Sequence, residues 1–347
     1  MSRVYLDHNA TTPLRLEARA AMVEAMELVG NPSSVHAEGR AAKAFLEKCR
    51  ARLARALGAE GAEIVFTASA TEAAALALHG RGIRGAAVEH DAVGAWVSDD
   101  LAVDGAGRVS VENPLESTLQ LANSETGVIQ TLPDAIAVSD MTQALGKVEV
   151  NFLSSGAMAA IFSAHKLGGP KGVGALVMAR GIDLDPVLKG GGQEMGRRAG
   201  TENLIGIAGF AAAAEAAVAD VAAGRWDEIA HLRDLLEKAI ADAGNLTISV
   251  GKDAPRLPNT ACFATPGWKG ETQVMQMDLK GFAVSAGSAC SSGKMRASGV
   301  LRAMGFDEAT AAGAIRVSLG LETTKDEVMR FADCWRAALQ KHQARAA

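Results

Sequence analysis

The chain has 347 residues, 48% of them hydrophobic and 22% charged, with a formal net charge of −5. That length suggests about two domains with a sizeable core, and the composition excludes a disordered or fibrous chain. The acidic balance and the lack of any lysine/arginine run argue against a protein that binds nucleic acid by neutralising phosphates.

The N-terminal MSRVYLDHNATTP has charge but no apolar h-region, so it does not read as a secretory signal. Apolar periodicity then predicts amphipathic helices over 16–26 and 41–57, a strand at EIVFT (63–67) and a helix over 71–78. Short apolar strands are expected over 86–88, 118–122, 136–140, 159–163 and 174–178, each as brief as a strand covered on both faces should be. An alanine-rich helix over 205–223 and a more charged one over 227–243 follow. The apolar run 210–221, broken by Glu215 and Asp220, reads as too short and too polar to cross a bilayer. The last third shows strands near 248, over 260–264 and over 283–286, then helices starting near 299 and 324. Periods that switch between 3.6 and short strand-like runs define an α/β protein with a large domain and a smaller α+β domain, divided near Ala223.

Two glycine motifs mislead. Gly80-Arg81-Gly82-Ile83-Arg84-Gly85 satisfies the dinucleotide fingerprint, but it follows a helix and precedes a strand, so it reads as a helix-ending turn. Gly168-Gly169-Pro170-Lys171-Gly172 lacks the Gly-Lys-Ser/Thr ending of a phosphate-binding loop.

A stronger constellation is Ser163-Ala164-His165-Lys166, directly beyond an apolar strand. A lone lysine is usually a solvated charge, yet one at a strand's end points into the crevice where α/β sheets bind ligands. There it can be desolvated and form a Schiff base with a carbonyl cofactor, with Ser163 and His165 donating to a phosphate. Ala70-Thr71-Glu72 opens a helix whose free amides suit a phosphate or are simply capped. Asp140, with Gln143 after it, suits a pyridinium nitrogen, or is a turn residue. His90 can stack on a planar ring or be a solvated histidine. The four cysteines are far apart, with no Cys-x-x-Cys pair, which argues against disulfides or a structural zinc and fits a reducing cytosol. Cys49, Cys262 and Cys334 sit in apolar patterns and read as inert and buried. Cys290, in Gly287-Ser288-Ala289-Cys290-Ser291-Ser292-Gly293-Lys294, reads as an exposed nucleophile. Arg316, on an apolar strand, suits a substrate carboxylate.

Ten blocks in order carry a resemblance that runs nearly end to end: YLDHNATTP, NPSSVH, EIVFTASATEA, Glu89-His90, ANSETGVIQ, DMTQALGK, SAHKLGGPKGVGAL, GGGQEMGRRAGTEN, SAGSACSS and IRVSLG. They resemble the NifS/IscS-type cysteine desulfurases, class V of the pyridoxal-phosphate aminotransferases. The resemblance implies a fold-type I transferase with a mostly parallel central sheet. It implies a large cofactor domain over 14–222 and a small domain made of 1–13 and 223–347 that carries the cysteine loop. Lys166 would hold pyridoxal phosphate and act as general acid/base. Cys290 would take sulfur from L-cysteine as a persulfide, releasing alanine.

By the same resemblance His90 would stack on the ring, Asp140 would meet its nitrogen and Gln143 its phenolate oxygen. Ala70, Thr71, Ser163 and His165 would bind the phosphate, joined by Thr201 from a second subunit of a homodimer. Asn31 and Arg316 would take the substrate carboxylate. No metal is implied. The acceptor would be an iron–sulfur scaffold protein, with tRNA thiolation a rival destination, in a cytoplasmic enzyme with neither a membrane nor a tight nucleic-acid partner. Selenocysteine lyase or another class-V activity is the alternative, and a non-catalytic scaffold or regulatory homologue a more distant one.

The chain departs from the pattern in three places. Ser124 stands where relatives place an asparagine on the cofactor's phenolate side, and 73–75 are alanines where polar residues are usual. Only five residues separate Gln130 from Ile136, too few for a crossover helix. With 80–86 and 91–117 also short, the large domain looks trimmed. That predicts a strand over 136–140 with one face less covered, suited to a helper protein.

Overall fold

In the computed structural model, which describes residues 3–242, 246–287 and 297–346, the chain opens with a two-residue strand, β1 (Val4–Tyr5). Helices α1 (Leu16–Met26) and α2 (Ala37–Ala56) follow. His36 starts α2 by accepting from Gly39 N at 3.3 Å, and Leu46, Cys49, Leu53 and Ala56 form its buried stripe. Then come β2 (Glu63–Thr67), α3 (Ala70–Leu78), the single turn α4 (Asp91–Gly94), β3 (Ser139–Asp140), β4 (Ala159–Ser163) and β5 (Gly174–Met178). Gly80 and Gly82, with φ of +72° and +63°, turn the chain out of α3, so the glycine motif is a helix-ending turn.

The sheet runs β2-β5-β4-β3. β3 is parallel to β4, and β5 is antiparallel to both of its neighbours. Past β3 it continues through parallel single-residue bridges, Thr118 with Val138 and Arg84 with Ser117. Among the described residues β5 is thus the one reversed strand of an otherwise parallel sheet. The strand expected over 86–88 does not form. Its bridge lies at Arg84, and Glu89 N closes a turn onto Ala86 O at 2.9 Å. The 118–122 run is extended and bonded to β3's segment (Leu119 N to Val138 O, 3.1 Å; Leu121 N to Asp140 O, 2.9 Å) without becoming a regular strand.

Between Gln130 and Ile136 there is no helix, and Ala135 adopts φ +63°. That conformation costs a non-glycine residue about 1–2 kcal/mol. Of the strand expected over 136–140 only β3 is regular, with Ile136 and Val138 in single-residue bridges, and the expected thin cover falls beside this segment rather than on it. Ile136, Ala137, Val138 and Ser139 are all buried. Leu121, Leu132 and Val150 are half-buried instead and line a cavity of about 280 Å³.

Helix α5 (Leu204–Ala222) corrects another expectation, since by length and composition it is apolar enough to cross a membrane. Here it packs on α1 and α2, with residues 207–214 and Ala217 buried in the core, as the central helix of a layered fold must be.

The rest of the chain comprises α6 (Arg225–Ala241), β6 (Ile248–Val250), β7 (Thr260–Ala264), α7 (Gly270–Leu279), β8 (Phe282–Ala283), β9 (Ser285–Ala286), α8 (Gly299–Ala303), α9 (Glu308–Ala312), β10 (Ala314–Ser318) and α10 (Lys325–Ala346). β6-β7-β10-β9 form an antiparallel sheet. β1 pairs in parallel with β8, which draws the N-terminus into this half. Trp268, Phe331 and Trp335 anchor a core to which β1 and the next residue contribute Val4 and Leu6. A smaller cluster joins the halves, bringing Ala86 and Val88 against Cys262 and Leu301.

Candidate active site

The site collects where β3 and β4 end. β4 is buried throughout, and directly after it a 3-10 turn spans Ala164–Lys166. Lys166 Nζ donates to two backbone carbonyls, Asn9 O at 2.7 Å and Ala10 O at 3.0 Å. Gln143 Nε2 donates to the same Asn9 O at 3.0 Å. One carbonyl thus gathers the lysine and the carboxamide, although β4 and the turns after β3 are separate pieces of chain. Asp140 ends β3 with Oδ1 accepting from Thr142 N at 2.9 Å.

The segment 7–12 frames the site from the N-terminal side. Asp7 bridges to Ser318, and Thr12 N donates to His165 O at 2.9 Å. His165 Nδ1 lies 3.2 Å from Thr11 Oγ1. Burial, then the charges of Lys166, Lys171 and Lys147, push the His165 pKa down to about 4, so its ring is neutral at pH 7. His90 accepts from Ala92 N at 3.1 Å through Nδ1, which leaves any proton of a neutral ring on Nε2.

α3 begins with a capped N-terminus. Ser69 Oγ accepts from Glu72 N at 3.2 Å, Ser69 O from Ala73 N, and Glu72 Oε2 from Ala68 N at 2.8 Å. The caps leave the Ala70 and Thr71 amides without a protein acceptor among the described residues, and Thr71 is exposed. Ser163 is buried at the end of β4.

Other residues stand differently. Arg316 is buried on β10 and already engaged, with Nη2 2.8 Å from Asp7 Oδ1 and Nη1 3.0 Å from Ser124 O. Ser124 therefore takes part through its carbonyl. Asn31 is exposed, and its bonds stay within its own loop, with Ser33 N donating to Oδ1 at 2.9 Å. Thr201 is exposed on the loop before α5. Cys290 lies outside the described residues. Cys49 and Cys262 are buried, and burial raises both thiol pKa values, whereas Cys334 is only half-buried, against the expectation for it.

Four residues were missed in the sequence. Asn9, fully buried, donates through Nδ2 to Thr260 Oγ1 at 2.9 Å and accepts at Oδ1 from Asn259 Nδ2 at 3.1 Å. Lys147 is buried between Gln143 and Asn9. Glu89 accepts from Gln120 N at 2.7 Å, and burial holds its pKa up to about 8. Glu125, raised by burial to about 7, accepts from Ser298 Oγ at 2.5 Å. All four lie inside the motif blocks, but only their burial distinguishes them from ordinary polar residues.

The donor set fits a phosphorylated pyridine aldehyde. It offers an amine for the carbonyl, a carboxylate for the ring nitrogen, a carboxamide, and a helix N-terminus with a neutral histidine for the dianion. No group of three or more histidine, cysteine or carboxylate side chains suited to a metal occurs among the described residues.

The class-V aminotransferase family model matches residues 4–92 and 117–331, passing over 93–116 in the segment that looks shortened. The chain is 39% identical to a cysteine desulfurase of Cereibacter sphaeroides, over 95% of this chain and 94% of that protein. It is 35% identical to the cysteine desulfurase IscS of Dictyoglomus turgidum, over 97% and 95%. Among solved structures, a NifS-like protein from Rickettsia africae superposes with a TM-score of 0.87 at 29% identity, over 97% of this chain and 99% of that one. The alignment to the Cereibacter protein runs over 368 positions, more than this chain's 347, so the relative carries residues that this chain lacks. The fold and site define a fold-type I enzyme. The chain belongs to the class-V aminotransferase family, and within it to the NifS/IscS-type cysteine desulfurases.

Proposed function

We propose that this cysteine desulfurase uses pyridoxal 5′-phosphate to convert L-cysteine to L-alanine and passes the sulfur, as a persulfide on Cys290, to an acceptor for iron–sulfur cluster assembly. The observation that carries the reading is the shared carbonyl: Asn9 O accepts from both Lys166 Nζ and Gln143 Nε2, beside the strand that ends in Asp140.

When bound, the cofactor supplies an electron sink for the substrate's α-carbon. Lys166 Nζ would hold it and move the α-proton, Asp140 would pair with the ring nitrogen, and His90 would lie on the ring face. Ala70 N, Thr71, Ser163 and neutral His165 would receive the phosphate. Arg316, carried between Asp7 and Ser124 O, would take the substrate carboxylate by exchanging Asp7 for it, with Asn31 assisting. The thiolate of Cys290 would attack the substrate sulfur. The S–S bond forms as the substrate's Cβ–S bond breaks, and the electron pair stays with the carbon fragment, which is protonated to alanine.

A homodimer is supported by α1, whose Ala18 and Ala25 are buried while Leu16, Val23 and Met26 lie exposed on the opposite face. A patch of that kind marks an interaction surface, and exposed Thr201 would serve the second subunit's phosphate. A docking surface for a helper protein is supported by the cavity at Leu121, Leu132 and Val150. The division into 14–222 and 1–13 with 223–347 is supported by separate cores, and a cytoplasmic setting by the cysteine pattern.

The test is sulfide and alanine release from L-cysteine by the purified protein in the presence of a thiol reductant, which supplies the two electrons that free the persulfide's outer sulfur as sulfide. Wild type releases both in equal amounts. Cys290→Ala releases neither above background, and full turnover by that variant overturns the thiol assignment.

A further inference from the structure

Lys147 is a lysine in the wrong kind of place. It is 4% exposed, and among the described residues its Nζ meets no carboxylate; it donates to Gln143 Oε1 at 2.6 Å and to Asn9 Oδ1 at 3.2 Å. Burial, then the charges of Lys166 and Arg316, hold its pKa well below 10.5. An amine in so dry a site is costly, and a leucine or methionine would fill the space without that cost. The chemistry of the contacts explains what the amine does.

A carboxamide has two faces that look alike in shape and opposite in polarity. Gln143 directs Oε1 to Lys147 and Nε2 to Asn9 O at 3.0 Å. If it flipped, Oε1 would face the Asn9 carbonyl, which can only accept, so that contact would become repulsive whether or not the amine carries a proton; Nε2 would lose the contact too while the amine is protonated. Nε2 therefore stays on the Lys166 side, because Lys166 Nζ shares Asn9 O. One of its N–H bonds goes to Asn9 O, and the second has no protein acceptor among the described residues. Asn9 Oδ1 is steadied in turn by Asn259 Nδ2 at 3.1 Å.

We propose that Lys147 is a positioning residue that acts through Gln143, locking its carboxamide so that the N–H face is offered to the cofactor beside Lys166. The inference rests on the cofactor reading above. It goes further by assigning a role to a buried amine outside the implied contact set.

The experiment is a double-mutant cycle on the holoenzyme. Wild type, Lys147→Met, Gln143→Leu and the double variant are titrated with pyridoxal phosphate, and the visible band of each is followed against pH. A positioning role predicts that Lys147→Met weakens cofactor binding about as much as Gln143→Leu, on the order of tenfold, and displaces the band's pH midpoint in the same direction. The double variant then looks like either single one, because the two act as a unit. Effects that add in the double variant, or a Lys147→Met protein that binds and titrates as wild type does, overturn the proposal. Lys147→Gln, which keeps a donor at this position, replaces the methionine variant should that one not fold, and must restore part of the wild-type midpoint. A wild-type protein with no visible band defeats the cofactor reading itself, and this proposal with it.

Discussion

Glu89 shows how one side chain is set by its surroundings. Among the described residues its buried Oε2 has no hydrogen-bond partner, and desolvation outweighs the Gln120 amide, raising the pKa from 4.5 to about 8, with Asp140 nearby adding to the rise. The folded value lies above the unfolded one, so the stability that Glu89 contributes is complete below pH 4.5 and is lost as pH climbs through about 8. Glu89→Gln stays neutral throughout. Urea titrations of the cofactor-free proteins at pH 5 and pH 8 are expected to show wild type losing more stability over that interval than the variant; parallel curves would show that the carboxyl is ionised in the fold. At Lys166 the expectation is simpler. Lys166→Ala should lose the visible band that sodium borohydride bleaches in wild type, and a borohydride-sensitive band surviving in the variant would move the attachment elsewhere.

The loop 190–203 depends on pairing between elements. Glu194 and Met195 both have positive φ, +48° and +57°, a strained conformation for residues other than glycine. The strain is held by a buried ion pair: Glu194 Oε2 and Oε1 accept from Arg50 of α2 at 2.8 and 2.9 Å, and Oε2 also accepts from Phe66 N of β2 at 2.9 Å. Arg197 pairs with Glu63, and Arg198 with Glu72 at 2.7 Å, which ties the loop to the capped start of α3. Glu194→Ala leaves Arg50 with only the more exposed Glu47 and the Ile64 carbonyl, and leaves Phe66 N unpaired; it should cost about 1–3 kcal/mol, read as a lower urea midpoint together with earlier proteolytic cleavage within 190–203. An unchanged midpoint would mean that the strap carries no load.

Such straps were invisible in the sequence, where GGGQEMGRRAGTEN gives residue types without partners. The elements that were legible are those buried on both faces, EIVFT, AAIFS and GALVM, because continuous apolar runs leave little choice of structure. α7 was not legible. GETQVMQMDL has its apolar side chains on both faces, with Met277 buried and Met275 and Leu279 exposed. In the site, Lys166, Asp140 and Gln143 could be found from their places beyond strands. Lys147 and Asn9 could not, since a lysine four residues after a glutamine signals nothing until both prove to be buried.

Across the whole molecule, the N-terminal segment joins the two halves. β1 belongs to the C-terminal half through Phe282, yet Asn9 reaches Lys147 and Lys166 on one side and Asn259, Thr260 and Ser318 on the other. Its carboxamide and backbone have separate duties: Oδ1 and Nδ2 join side chains across the halves, while the carbonyl serves Lys166 and Gln143. Asn9→Ala keeps the carbonyl and leaves several buried polar groups unpaired. It should lower stability by at least about 1–3 kcal/mol while retaining the visible band with cofactor; a full loss of the band at normal stability would place Asn9 in the chemistry instead. The missing crossover helix at 131–135 leaves this framework intact, because the strand ending in Asp140 is held by β4 and by the bridge from Thr118.

The central claim is that sulfur passes from cysteine to Cys290. Its most direct test is the mass of the peptide carrying Cys290 after the holoenzyme meets L-cysteine without reductant. The account predicts a gain of one sulfur atom on that peptide, reversed by a thiol reductant and missing when Lys166 is replaced by alanine. Alanine formed while the Cys290 peptide keeps its mass, with the extra sulfur found on Cys334 or on no cysteine at all, would contradict it.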